Sequence, residues 1–235
     1  MEINSSAILC MQDQVCAANK RLVSEGLVKL TWGNVSGRIG ELVCIKPSGV
    51  SYDDLEPESI VVLTLSGDVV AGELKPSSDT LTHLAIYRAF PEIRAVVHTH
   101  SHYATCWAQA GRNIPEYGTT HADVFFGDVP CTNDISQDKV ASDYELETGN
   151  EIVRALKQWG IERTCGILVR SHGPFTWGQS PSSAVDNAVS LEEVARMALD
   201  TEILLNHKDM QSFMPEYLKE KHYFRKHGSG AYYGQ

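Results

Sequence analysis

The tripeptide His98-Thr99-His100 closes an apolar run, Ala95-Val96-Val97. In a strand, alternate side chains share one face. Two imidazoles two residues apart can therefore reach one metal ion. A third candidate, His172, follows a second apolar run, Ile167-Leu168-Val169. A structural zinc site is closed by four protein ligands. Three histidines at strand ends, with room left for a substrate oxygen, suit a catalytic ion instead. The residues point to a metalloenzyme. The other histidines, at 83, 102, 121, 207, 222 and 227, read on their own as structural.

Two similar turns, Lys46-Pro47-Ser48-Gly49 and Lys75-Pro76-Ser77-Ser78-Asp79, carry hydroxyls and backbone N–H groups, with a lysine in each. The second opens a predicted helix, whose N-terminus favours anions. Such turns cradle a phosphate as readily as they make ordinary connections. Asp79 is open to three roles: helix cap, metal ligand or base. Thr31-Trp32-Gly33-Asn34 joins two strand-like pieces and is either a plain turn or a presenter of amides to a ligand. Thr119-Thr120-His121-Ala122-Asp123 falls in a predicted loop, where catalytic groups are often carried. Tyr232-Tyr233 is either a frayed tail or an aromatic flap for a neighbouring site.

These residues need a scaffold. The chain has 235 residues, 43% of them hydrophobic, enough for one domain over 1–235 with a sizeable core. A net charge of −10 argues against nucleic-acid and anionic-membrane partners, while leaving a phosphorylated small molecule open. Six cysteines without a C-x-x-C pair read as buried reduced thiols of a cytoplasmic protein. The N-terminus has no signal-peptide pattern, and no run of 18 apolar residues exists.

Hydrophobic periodicity predicts helices over about 6–25, 80–90, 103–110, 148–159, 181–205 and 215–226. Strands are predicted at 27–31, 34–38, 42–46, 60–65, 95–99 and 166–170, with 112–145 rich in loops. In the long helix, Ala184, Ala188, Leu191, Ala195 and Ala198 form one apolar stripe. Asp79 sits at the predicted N-cap of the second helix. The alternation predicts an α/β fold.

Together the motifs resemble the class II aldolase/adducin family, most closely its L-ribulose-5-phosphate 4-epimerase branch. The carrying segments are TWGNVS (31–36), IKPSGV (45–50), KPSSDT (75–80), VHTHS (97–101), TTHAD (119–123), SHGPF (171–175) and RKHGSGAYYGQ (225–235). The resemblance implies a central, mostly antiparallel β-sheet flanked by helices in three layers. It implies a divalent metal, usually zinc and one per subunit, held by His98, His100 and His172. Manganese and cobalt suit the same ligands. Asp79 matches the aspartate found at this metal in the epimerases, where aldolases usually carry a glutamate base. Gly33, Asn34, Ser48, Gly49, Ser77 and Ser78 match a substrate-phosphate pocket. Asp123 and Tyr233 match an acid/base pair, and His222 a further histidine near the site. The implied assembly is a homotetramer with sites between subunits, the tail tyrosine reaching a neighbour's site.

The implied activity interconverts L-ribulose 5-phosphate and D-xylulose 5-phosphate, a step used in both arabinose and ascorbate breakdown. The C4 proton is not next to the C2 carbonyl, so direct deprotonation has no good route. Retro-aldol opening of C3–C4, rotation of the aldehyde fragment and re-addition does invert C4. The alternative is a metal-dependent aldolase of the L-fuculose-1-phosphate type. A related sugar-phosphate dehydratase has no specific feature in its favour. A non-enzymatic, adducin-like interaction module would lack the metal ligands.

Overall fold

The computed structural model describes residues 5–205, 214–227 and 229–233. The first long helix, α1 (Ser5–Ser24), is followed by strands β1 (Asn34–Ile39), β2 (Leu42–Ile45), β3 (Val61–Thr64) and β4 (Val69–Ala71). Then come α2 (Thr80–Ala89), β5 (Ala95–His98), α3 (His102–Ala110), α4 (Thr119–Ala122) and α5 (Gln137–Trp159). The last elements are β6 (Gly166–Val169), β7 (Gly173–Gly178), α6 (Pro181–Leu204) and α7 (Glu216–Phe224). The seven strands form one sheet in the order β4-β3-β2-β1-β5-β7-β6. Every neighbouring pair is antiparallel. The predicted α/β fold with an antiparallel central sheet is present.

Strand alternation divides the core. Ala95 and Val97 of β5 pack with Ala18 and Leu22 of α1 and Ala184, Val185 and Ala188 of α6. Val96 faces the other way, onto Leu84 and Tyr87 of α2 and Ile152 and Leu156 of α5. Helices thus cover both faces, and each fully buried Val or Leu contributes about 1.5–3 kcal/mol. Farther along the predicted α6 stripe, Leu191, Ala195 and Ala198 meet Ala104 and Trp107 of α3. The start of α6 is fixed by Pro181 in its first turn and by the Ser180 side chain, which accepts from the Ser183 N–H.

Several predicted elements differ. Residues 27–31 form no strand: the Leu27 N–H closes α1 by bonding Leu22 O, and Leu30 adopts φ 51°. Leu27 and Val28 are apolar because they pack against α1 and β5, not because they pair in a sheet. The Gly-Pro start of β7 concealed a central strand. The three-residue β4 was also not read. The predicted loop over 112–145 contains α4 and the first turns of α5. That helix is broken at Asp143 (φ −159°, ψ 92°). Asp143 Oδ1 accepts from the Leu146 N–H at 3.1 Å and recaps the second half.

All six cysteines are free, but only Cys16 and Cys44 are buried; Cys10 and Cys106 are exposed, correcting the uniform expectation. Burial pushes the Cys44 thiol up to about 12. No helix among the described residues is long and apolar enough to cross a membrane. Of the remaining motif residues, His207, Gly228, Gly234 and Gln235 lie outside the described residues.

Candidate active site

The site begins with a cross-strand row. His98, the last residue of β5, is opposite Asn34 on one side and Phe175 on the other. All three side chains therefore emerge on the face covered by α2. The His98 ring stacks on Phe175 at 4.2 Å between centroids. Its Nδ1–H donates to the Pro174 carbonyl at 3.0 Å, since a carbonyl only accepts. That leaves Nε2 bare, and His100 Nε2 lies 3.1 Å from it.

The strand stops at His98, so the loop after β5, not strict alternation, delivers His100. His172 comes from the β6–β7 turn, where Ser171 takes φ 61°. One nitrogen from each of the three rings lies within 4.8 Å of the others. Nitrogens around a tetrahedral zinc at about 2.0–2.1 Å sit about 3.3 Å apart. The triad therefore fits a divalent ion. Burial pushes His172 down to about 3, and burial with the adjacent His98 lowers His100. Neutral imidazoles are the form that ligates.

Asp79 occupies the N-cap position of α2, yet its side chain makes no capping bond. The carboxylate instead takes the Asn34 amide, Nδ2 to Oδ2 2.7 Å. Burial opposes its charge, but His98, His83 and that hydrogen bond outweigh the penalty and hold it below the ordinary carboxylate range. His83, one turn into α2, is fully buried and pushed down to about 3 by that burial. Its Nδ1 pairs with Ser36 Oγ at 2.7 Å.

The two Lys-Pro-Ser turns are clamped to each other. Ser48 N–H donates to Lys75 O at 2.9 Å, and Ser77 N–H to Lys46 O at 3.1 Å. Those two amides, predicted to be free, are consumed. The Ser48 hydroxyl and the Ser78 side chain remain in the cavity wall for an anion, whereas the Asp79 and Thr80 N–H groups at the start of α2 bond Ser77 Oγ and Ser77 O. Of the two lysines, the fold brings Lys46. It is 2% exposed, donates to Val50 O at 2.7 Å and lies over the Tyr52 ring. Gly33 (φ 79°) lies so close to His98 O that an added Cβ would sit 2.8 Å from it, so only glycine fits.

A cavity of about 410 Å³ gathers these groups. Gly33, Asn34, Ser48, Gly49, Ser77, Ser78, Asp79, His98, His100 and His172 all line it. Lys46, Trp32, Tyr144 and Glu145 line it too. Tyr144 and Glu145 were missed because the sequence reads as loop there; the one available signal was Asp143 as a cap. Tyr144 Oη lies 3.1 Å from His172 Nδ1. Another cavity of about 440 Å³, between α4 and the end of α6, is walled mainly by apolar groups and holds none of the triad.

Asp123 and Tyr233 do not line the triad cavity. Asp123, just after α4, takes a two-pronged Arg225 contact at 2.9 and 2.6 Å and the His222 ring at 3.0 Å. Burial opposes its charge, but Arg225 and His222 hold the carboxyl below its usual range. The tail turns back on α7: the N–H groups of Tyr232 and Tyr233 both bond Arg225 O. The Tyr233 ring lies under the Arg225 guanidinium at 4.3 Å. Asp123, His222 and Tyr233 are thus assembled as a second cluster, with Arg225, which the sequence did not single out, at its centre.

The sequence model described as Class II Aldolase and Adducin N-terminal domain matches residues 13–199. An L-fuculose 1-phosphate aldolase structure is similar at 23% identity over 95% of this chain and 97% of that one, TM-score 0.73. L-fuculose 1-phosphate aldolase from Glaciozyma antarctica PI12 is 19% identical over 98% of this chain and 87% of that one, TM-score 0.76. YgbL from Klebsiella pneumoniae is 24% identical over 91% of this chain and 98% of that one, TM-score 0.69. At these identities the structures speak for the fold alone, and the family follows from the sequence match. Since that match spans most of the chain, the protein belongs to the class II aldolase/adducin family.

Proposed function

We propose that this protein is a metal-dependent epimerase that interconverts L-ribulose 5-phosphate and D-xylulose 5-phosphate. The observation that carries this reading is Asp79. An aspartate, the residue the epimerases carry there, is held by Asn34 beside the histidine triad, in the same cavity as the two clamped Lys-Pro-Ser turns.

In this reading His98, His100 and His172 hold a divalent ion, zinc by preference. The ion supplies Lewis-acid stabilisation of the charge left on the ketose fragment when C3–C4 opens. Ser48, Gly49 and Ser78 bind the phosphate, with Lys46 adding positive charge to the cavity wall. They hold glycolaldehyde phosphate while its aldehyde turns, so that it re-adds from the opposite face. The C4 hydroxyl gives up its proton as the bond opens and regains one as the bond reforms on the other face. Two groups are therefore needed. Asp123, an acceptor in its charged form, serves one side and Tyr233 the other. Both lie outside the cavity of their own chain, so in this reading a neighbouring subunit supplies them, within the homotetramer that the family resemblance implies. The substrate class and the six free cysteines agree with a cytoplasmic enzyme.

The test is to incubate zinc-loaded protein with L-ribulose 5-phosphate and follow D-xylulose 5-phosphate with a coupled assay. Formation that a chelator abolishes, and that Asp123→Asn or Tyr233→Phe lowers at least a hundredfold, is the expected result. Net loss of sugar phosphate with release of free aldehyde would favour an aldolase instead.

A further inference from the structure

The three rings of the triad are not held alike. His98 is fixed by backbone and core, through the Pro174 carbonyl and the Phe175 stack. His172 projects from a turn, and its one hydrogen bond to another side chain among the described residues is to Tyr144 Oη, 3.1 Å from Nδ1. Tyr144 belongs to neither the sheet nor the histidine loops. It arrives from α5, immediately after the break at Asp143. Three side chains pin that turn: Asp143 caps Leu146, Thr148 Oγ1 donates to Tyr144 O at 2.8 Å, and Thr82 of α2 donates to Glu145 O at 2.6 Å. A phenol placed with this much backbone support against a single ring nitrogen does more than fill a cavity wall.

An imidazole that ligates a metal must present one bare nitrogen and keep its proton on the other. The group that accepts from the second nitrogen decides which is which. We propose that Tyr144 is the positioning residue for His172: its hydroxyl oxygen accepts the Nδ1–H, fixes that tautomer and turns Nε2 toward the ion. The phenol proton then stays free to donate into the cavity that Tyr144 lines. The inference rests on the triad being a metal site and is independent of which sugar phosphate the enzyme uses.

Tyr144→Phe deletes one oxygen from a half-buried ring and keeps the packing of α5. Histidine ring ¹⁵N spectra of the metal-free protein, with the His172 signals identified by their loss in His172→Gln, report the tautomer directly. A chelator-competition titration with zinc reports affinity. The expected result is an Nδ1–H tautomer for His172 in the wild type and a mixture in Tyr144→Phe. Zinc should bind about 10- to 100-fold more weakly to the variant. An Nε2–H tautomer in the wild type, or unchanged zinc affinity in Tyr144→Phe, overturns the inference. A wild-type protein that binds no zinc removes the metal reading and this inference with it. Failure to turn over L-ribulose 5-phosphate, with the tautomer and affinity results as expected, would sink the epimerase reading alone.

Discussion

Asn34 donates its amide to Asp79 Oδ2 at 2.7 Å and to Ser77 Oγ at 3.0 Å, tying the first residue of β1 to the start of α2. Its own Oδ1 is buried without a partner among the described residues. The charged carboxylate is thus stabilised by a residue placed by sheet register. In Asn34→Asp, two carboxylates would share the site, and one pKa must rise. Activity that needs charged Asp79 is lost as pH falls through its pKa, so the acid limb of kcat/KM should move to higher pH. Each unit of movement lowers activity below the limb about tenfold. An acid limb identical to wild type would count against a charged Asp79 in turnover.

The metal-free protein should be acid-labile from the upper end of the histidine range. His83 and His172 are pushed down to about 3 and His121 to about 4, each mainly by burial. Unfolded histidine titrates near 6.5. Between those limits the unfolded chain binds protons that the folded one refuses. The contribution is complete above about pH 6.5 and is lost as pH falls, by about 1.4 kcal/mol per unit per histidine. Urea melts from pH 7 to 5 should show this slope, and His121→Asn should flatten it by about one proton.

Zinc should stabilise the fold in proportion to its binding. At a hundredfold excess over Kd the gain is about 2.7 kcal/mol. For a chain of this size that corresponds to roughly 5–10 °C in Tm. Differential scanning fluorimetry with and without zinc measures it. His98→Ala should abolish the shift, and a shift that survives this change would place the ion elsewhere.

Gly149 lies where α5 crosses α2, and an added Cβ would meet Ala85 Cβ at 2.6 Å and Thr82 Cα at 3.0 Å. Gly149→Ala should therefore cost about 1–3 kcal/mol. By lifting α5 it should also loosen Tyr144 and Glu145 in the cavity wall. Chemical denaturation reads the first effect and zinc affinity the second. A stability loss with full affinity would mean that the wall tolerates movement of the helix.

If the Asp123–Tyr233 cluster serves a neighbour's triad, two inactive variants should rescue each other. His98→Ala lacks the triad and Asp123→Asn the partner group. Co-assembled from a denatured mixture, they should recover a substantial fraction of wild-type activity, because some sites then combine two intact halves. No recovery in properly mixed oligomers would place both halves in one chain.

The sequence determined the local parts of this site. The runs 95–97 and 167–169 are buried strand because they are apolar and rich in β-branched residues, and a candidate ligand follows each within three positions. The helix stripe from Ala184 to Ala198 was legible because 3.6-residue spacing is a local property. Spacing alone left Asp79 as cap, ligand or base. It could not say which lysine of the two turns enters the cavity, nor that the Ser48 and Ser77 amides are spent on the lysine carbonyls of the opposite turn.

Those choices belong to contacts between distant segments. Asn34 meets Asp79 across 45 positions, and Tyr144 meets His172 across 28. Sheet register brings Asn34, His98 and Phe175 into one row, and the break in α5 aims Tyr144 at the same place. No local propensity encodes such pairings, because they form only when elements pack and bury their shared faces. The same holds for Asp123, which the resemblance makes half of an acid/base pair and which the tertiary structure ties to Arg225 and His222.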